Sequence, residues 1–224
     1  MRSARPLALL AVLASLGSGC ATPARSGLRR LAPGELEDRL ASRAASYVGE
    51  KGPFRSAGER FADDCSGFTA AVYAAEGIPL RQLSARAAPR ETSGVAAAYQ
   101  AARSYGVVFG GGGEWPRPGD LVFFHDTYDR NRNGAVDDAF THLGVVERVD
   151  AGTVTFVHRG GHAVARGVLT LDRADQPSDG DGRPLNSTLR DKRPRLAGEP
   201  VLAGQLFQGF GRIEPARIPE DLFH

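Results

Sequence analysis

The sequence predicts an α+β domain: helical spacing of apolar residues dominates its first half, and short apolar strand runs bounded by turn residues dominate its second. Between Glu35 and Tyr47, the residues Leu36, Leu40, Arg43 and Ala44 recur at helical spacing, and Gly49 supplies a stop. From Cys65 to Glu76, Phe68, Val72 and Ala75 share one helical face that ends at Gly77. After Gly110 the texture changes, and Leu121-Val122-Phe123-Phe124, introduced by Pro118-Gly119-Asp120, reads as a buried strand. The expectation is a set of N-terminal helices packed on an antiparallel β-sheet.

The other elements follow in order. Residues 1–20 read as a signal peptide: Arg2 and Arg5 precede an apolar run from Pro6 to Leu16, then Gly17-Ser18-Gly19 leads to Cys20. The run is too short for a permanent transmembrane helix. This order resembles a bacterial lipoprotein signal, which implies acylation of Cys20; ordinary cleavage after a small residue is the alternative. Residues 21–34 form a tether rich in Pro, Gly, Ala and Arg, residues 35–214 a single domain, and residues 215–224 a tail. Gly49 to Asp63 reads as a loop and Gly94 to Arg103 as a further helix. Leu143–Val149, Val154–His158, Val164–Leu171 and Leu206–Ile213 read as strands. Residues 173–200, polar and rich in Pro, Gly and Asp, read as a long surface excursion.

Charge narrows the function. Lys and Arg number 28 against 26 Asp and Glu, so a net charge of +2 makes no case for nucleic acid. The chain has two cysteines, Cys20 and Cys65. With Cys20 lipidated, Cys65 is a free thiol in an exported protein, which favours a used or buried residue. A Cys20–Cys65 disulfide is the structural alternative.

Cys65 sits where loop becomes helix, behind Asp64, a good capping residue. The positive end of the helix dipole and the unpaired amides there favour thiolate over thiol, and the same amides suit an oxyanion. A lone cysteine is as often a small core residue. The histidines tip this balance: His142 opens one strand and His158 closes the next. A two-residue turn at Ala151-Gly152 places them on opposite sides of the sheet. A three-residue turn, Asp150-Ala151-Gly152 with Gly152 left-handed, places them on one side as diagonal neighbours. In the second case His158 can hold the ring of His142 while His142 takes the Cys65 proton.

These blocks occur in order: Tyr47-Val48-Gly49, Pro53-Phe54, Asp64-Cys65-Ser66-Gly67-Phe68, Arg117 to Phe124, Thr141 to Val146, and Phe156-Val157-His158. Together, over residues 40–160, they resemble the NlpC-type family of cell-wall cysteine peptidases, which shares a papain-like core with the CHAP amidases and peptidases. The resemblance implies Cys65 as nucleophile, His142 as base and His158 as the orienting residue. It also implies an oxyanion and substrate region formed by Asp64, Ser66 and Phe54. Phe54 stands where many members carry Tyr, and Arg55-Ser56-Ala57 replaces the usual Trp-Gly-Gly. The interval from His142 to His158 is nearer to CHAP spacing, and an insertion precedes His142.

That insertion places Asp129, Asn131, Asn133 and Asp137 at positions one, three, five and nine of an oxygen-rich loop, with Gly134 at six. The pattern resembles the first part of an EF-hand calcium loop, although its twelfth position is Phe140, so the loop is truncated or Asp138 substitutes. A metal-free Asn-Gly turn is the alternative. The chemistry itself requires no cofactor, and His125, His162 and His224 form no zinc-ligand spacing.

The reading is an exported hydrolase of a peptidoglycan amide bond, in the periplasm or at the outer membrane. It meets the membrane only through its N-terminal lipid and has no nucleic-acid partner. Two rivals stand beside it: the same fold acting on another amide or ester, and a non-catalytic calcium-dependent binding lipoprotein.

Overall fold

The computed structural model describes residues 27–28, 31–110, 112–190 and 198–223. The expected signal peptide, Cys20 and most of the tether fall outside them. The elements run α1 (Glu35–Ser46), β1 (Phe54–Ser56), β2 (Glu59–Phe61), α2 (Cys65–Ala75), α3 (Leu80–Ala87), α4 (Gly94–Tyr105), β3 (Gly106–Phe109), β4 (Leu121–Phe124), β5 (His142–Asp150), β6 (Thr153–Arg159), β7 (Val164–Thr170), α5 (Ala203–Leu206) and β8 (Phe207–Ile213). A six-stranded sheet has the order β3-β8-β4-β5-β6-β7, with every neighbour pair antiparallel. The α+β architecture expected from the sequence is therefore present. The loop expected over Gly49–Asp63 contains the β1–β2 hairpin, and α3 and β3 are elements that the sequence reading did not assign.

Helices α1 to α4 cover one face of the sheet. Phe68, Val72 and Tyr73 of α2 join Leu121, Phe123, Leu143, Val145 and Val157 in the main core. Burying an aliphatic or aromatic side chain of this kind contributes roughly 1.5–3 kcal/mol. Asp64 caps α2 by accepting the Gly67 N–H at 2.7 Å, a contact worth about 1 kcal/mol. Gly67 has no substitute here, since a Cβ would stand 2.2 Å from the Ala62 carbonyl oxygen. At the other end of α2, the buried Glu76 carboxylate accepts from Arg39 and Arg43 of α1 at 2.8 and 3.0 Å.

The expected surface excursion is mostly exposed over residues 175–184, and its flanks and single anchors lie on the second face of the sheet. Val122, Phe124, Val146, Phe156 and Leu169 form a second core with Ala203 and Leu206, and Leu171 and Leu189 pack against it. The described part of residues 171–206 is thus a cover for the sheet. Leu185 is 1% exposed and Asn186 4%. The Asn186 side chain accepts from the Thr170 N–H and donates to the carbonyls of Arg173 and Gln176. Its polar composition hid this role, because single anchors rather than a periodic apolar face hold the segment down.

The turn between β5 and β6 also differs from the expectation, yet with the same consequence for the histidines. Asp150 pairs with Thr153, and Ala151 and Gly152 both have positive φ (46° and 80°), so the turn has two central residues. A register shift between Val146 and Arg148 then leaves Glu147 as a bulge, after which Val146 faces Phe156 and Val145 faces Val157. The extra residue restores the side lost at the short turn. Extending that register puts Gly144 opposite His158, and a Cβ there would lie 2.8 Å from the Val157 oxygen and 3.2 Å from the His158 Cβ.

The Pro118-Gly119-Asp120 block anchors β4 to β8. Asp120, 2% exposed, accepts two hydrogen bonds from Arg212 at 2.9 and 2.7 Å and one from the Arg117 N–H. Tyr73 donates to the Gly119 carbonyl at 2.6 Å. Replacing Arg212 by Met leaves a buried carboxylate without its cation, and we expect a loss of about 3–5 kcal/mol in urea unfolding. A loss under about 1 kcal/mol would show that Asp120 is held by other means.

Candidate active site

Two clefts meet at the start of α2. One, of about 900 Å³, is lined by Asp63, Asp64, Cys65 and His142 together with His158, Arg159 and Arg190. The other, of about 480 Å³, is lined by Cys65, Ser66, Ser93, Arg130 and His142. Asp64, Cys65, Tyr128 and His142 belong to both. The structure therefore brings together Cys65, His142 and His158 as the sequence expected.

The two imidazoles share a hydrogen bond, His142 Nε2 to His158 Nδ1, at 2.8 Å, with ring planes 89° apart. Phe124 stacks obliquely on His142, and Phe156 on His158. The strand pairing aims both rings at one side, and the aromatic neighbours limit their rotation. Thr141, immediately before His142, is buried and accepts from the N–H and hydroxyl of Thr127 at 2.9 Å. The foot of the insertion is thereby fixed to the strand that carries His142.

Electrostatics run against one expectation. Burial pushes the Cys65 thiol up to about 11, offset in part by the Leu143 amide; the Asp64 carboxylate raises it further, while the Ser66 and Cys65 amides lower it. The helix terminus thus does not give a preformed thiolate, because desolvation outweighs the amides. Burial also pushes His142 well below the usual imidazole range, with His158 adding to the shift, and pushes His158 down to about 4. The resting centre is a neutral thiol beside two neutral imidazoles.

The other expected site residues divide. The Asp64 carboxylate accepts from Gly67 N–H and from the Ser66 hydroxyl, both at 2.7 Å, so it holds the helix start and orients Ser66 in the smaller cleft. Phe54 is not at the site. It is 2% exposed and packs edge-on against Tyr47 and Phe68 in the core. Tyr128, which the sequence reading did not single out, is half exposed between the two clefts. Burial raises its phenol, with the charge of Cys65 as the next cause. Only its position in the insertion before His142 gave any sequence signal.

In that insertion, Asn131 and Asn133 each donate to the Asp137 carboxylate, at 3.2 and 3.0 Å. Asp129 Oδ2 accepts the Gly134 N–H at 2.9 Å, with Gly134 at φ 79°. Asp129 Oδ1 is buried without a hydrogen bond. The expected oxygen side chains thus converge on one loop. Asp138 is buried and accepts the Arg130 N–H, a bond that holds the loop closed. Among the described residues no group of three or more His, Cys, Asp and Glu side chains is placed to hold a metal ion.

Comparison with protein-family models, with curated proteins and with solved structures finds no match to this chain.

The low values of the buried histidines fix the sign of the acid response. Below the ordinary imidazole value of 6.5 the unfolded chain takes up protons that His158 refuses until about pH 4. The stability contributed by the neutral pair is fully present above 6.5 and drains as pH falls toward 4, by up to about 3 kcal/mol for His158. Chemical denaturation of wild type and His158→Asn between pH 7 and 4 tests this, with a flatter profile expected in the variant. Parallel profiles would contradict it.

Proposed function

We propose that the chain is an exported cysteine hydrolase with a papain-like core that cleaves an amide bond in peptidoglycan, within the stem peptide or between sugar and peptide. The observation that carries this reading is the hydrogen-bonded His142–His158 pair lining the same cleft as Cys65 at a helix start. The peptidoglycan substrate rests on the resemblance of the ordered cysteine, Pro-Gly-Asp and histidine blocks to the NlpC-type peptidases. The signal-like N-terminus, with acylation of Cys20 and anchoring in the periplasm or at the outer membrane, agrees with that substrate.

The tautomer follows from the chemistry. If His142 donates through Nε2 to His158 Nδ1, its own Nδ1 lone pair is left for the Cys65 proton. The same hydrogen bond persists when His142 carries both protons, so His158 orients the ring and stabilises the imidazolium. As a substrate carbonyl approaches, the Cys65 proton passes to His142 and the sulfur attacks the carbonyl carbon. The backbone amide of Cys65 is the oxyanion donor. The C–N bond breaks as His142 returns the proton to the leaving amine, giving a thioester. Water then gives a proton to His142 and attacks; the C–S bond breaks, releasing the carboxylic product and restoring the thiol.

A neutral resting pair suits this sequence of events. Substrate expels water and provides the developing oxyanion, so charge separation occurs when it is compensated. We expect Cys65→Ala and His142→Ala to lower release of peptides from purified sacculi by at least about 10³-fold, and His158→Asn by less. Wild-type-like release from Cys65→Ala would refute the thiol mechanism. Sacculus binding without any release by the wild type would favour the binding-lipoprotein reading, and turnover of simple esters or amides with intact sacculi the other-substrate reading.

The insertion is proposed as a calcium loop in which Asp129, Asn131, Asn133 and Asp137 supply oxygens. Calcium there would brace the chain leading to Thr141 and His142. Calcium is expected to raise the melting temperature and chelation to lower it, with Asp129→Ala/Asp137→Ala abolishing the difference. A melting temperature indifferent to calcium in the wild type would exclude the metal.

A further inference from the structure

The larger cleft contains a buried cation that the hydrolytic chemistry does not use. Arg190 is 6% exposed and lies in the segment expected to be a surface excursion. The backbone N–H groups of Leu189 and Arg190 both donate to the Val201 carbonyl, at 2.9 and 3.3 Å, and Leu189 packs against the second core. This anchoring carries the guanidinium to the wall of the cleft that holds Cys65, His142 and His158. Its Nη1 donates to the Asp126 carbonyl at 3.1 Å, whereas its Nε is buried with no hydrogen bond. Among the described residues no carboxylate lies within ion-pair distance of it.

A buried guanidinium in this state costs several kcal/mol relative to water unless an anion joins it. The other charges of the cleft do not serve. Asp63 is held by Arg159 at 2.7 Å and by the Gly52 N–H, and both hydrogen bonds made by Asp64 serve the helix cap and Ser66. Arg159 is in turn occupied by Asp63 and the Gly160 carbonyl. Among the described residues of the cleft, Arg190 is the guanidinium without a carboxylate partner, and a planar fork of N–H groups matches a carboxylate.

We propose that Arg190 is a carboxylate-recognition residue: it takes a free carboxylate of the molecule whose carbonyl Cys65 attacks, and so selects amides flanked by such a group. The proposal rests on the reading of Cys65 as the reacting centre, and it adds a substrate feature that this reading leaves open. The carboxylate lies in the larger cleft, on the side of Cys65 where His158 and Arg190 stand. An amidated version of the same substrate leaves the guanidinium without an anion and binds less well.

Alkylation of Cys65 tests this without requiring hydrolysis. The full chain with Cys20→Ser is treated at pH 9 with iodoacetate, a carboxylate, and with iodoacetamide, its neutral counterpart; glutathione gives the reference ratio of the two rates. The wild-type chain should favour iodoacetate over that reference by about tenfold, one charge-assisted hydrogen bond's worth. Arg190→Gln should return the ratio to the glutathione value with the iodoacetamide rate changed less than twofold. Formate, and not formamide, should abolish the preference in the wild-type chain, a measurement that needs no variant should Arg190→Gln fail to fold. A wild-type ratio equal to that of glutathione overturns the proposal, as does a preference that survives formate or Arg190→Gln. Because the readout is a rate ratio, it stands or falls separately from sacculus digestion.

Discussion

The 2.8 Å hydrogen bond between His142 and His158 sets the terms for the rest of the site, and it depends on backbone arithmetic that neither residue controls. A strand has a side-chain period of two, so a slip of one residue sends a side chain to the other face. The two-residue turn at Ala151-Gly152 alone would separate the histidines. The bulge at Glu147 adds the residue that reunites them. Gly144 then keeps the space beside His158 free of a Cβ. The imidazole pair is thus a product of a turn, a bulge and a glycine acting together.

Around that pair the fold has two covers with different tasks. The helical layer supplies Cys65 at the capped start of α2, where Asp64 fixes the first turn and leaves amides near the sulfur. The cover over the second face supplies Arg190 and seals Phe124 and Phe156 beneath the histidines. The site lies where these covers meet the start of β5. Burial from both sides makes the ionised forms of Cys65, His142 and His158 costly. It therefore selects a neutral resting state, and in the proposed mechanism charge separation falls to the step in which an oxyanion is formed and held.

Much of this was legible in the residues. The helical spacing of Leu36, Leu40 and Ala44, and of Phe68 and Val72, marked α1 and α2. The apolar run Leu121–Phe124 and the alternation flanking Gly152 marked the central strands. Cys65 and the two histidines stood out because their residue types and their places at element ends suit one chemistry. What was hidden was set by tertiary context. Phe54 follows a Pro, the place that the family resemblance gives to a substrate residue, but its apolar ring packs against Tyr47 and Phe68. The direction of the Cys65 shift was missed because a helix terminus is visible in sequence and the depth of burial is not. Arg190 carried no signal at all, since its segment has the composition of a loop and its anchors are single residues, Leu185 and Asn186.

The most direct test of the central claim is a search for the thioester on Cys65. Stem-peptide fragments released from sacculi are mixed with the protein, the mixture is quenched in acid at a series of early times, and the peptide containing Cys65 is weighed by mass spectrometry. The account predicts the mass of one acyl fragment on Cys65, removed by hydroxylamine and slower to disappear in His142→Ala than to form in the wild type. Consumption of substrate with Cys65 unmodified at every quench time would contradict it and place the chemistry elsewhere.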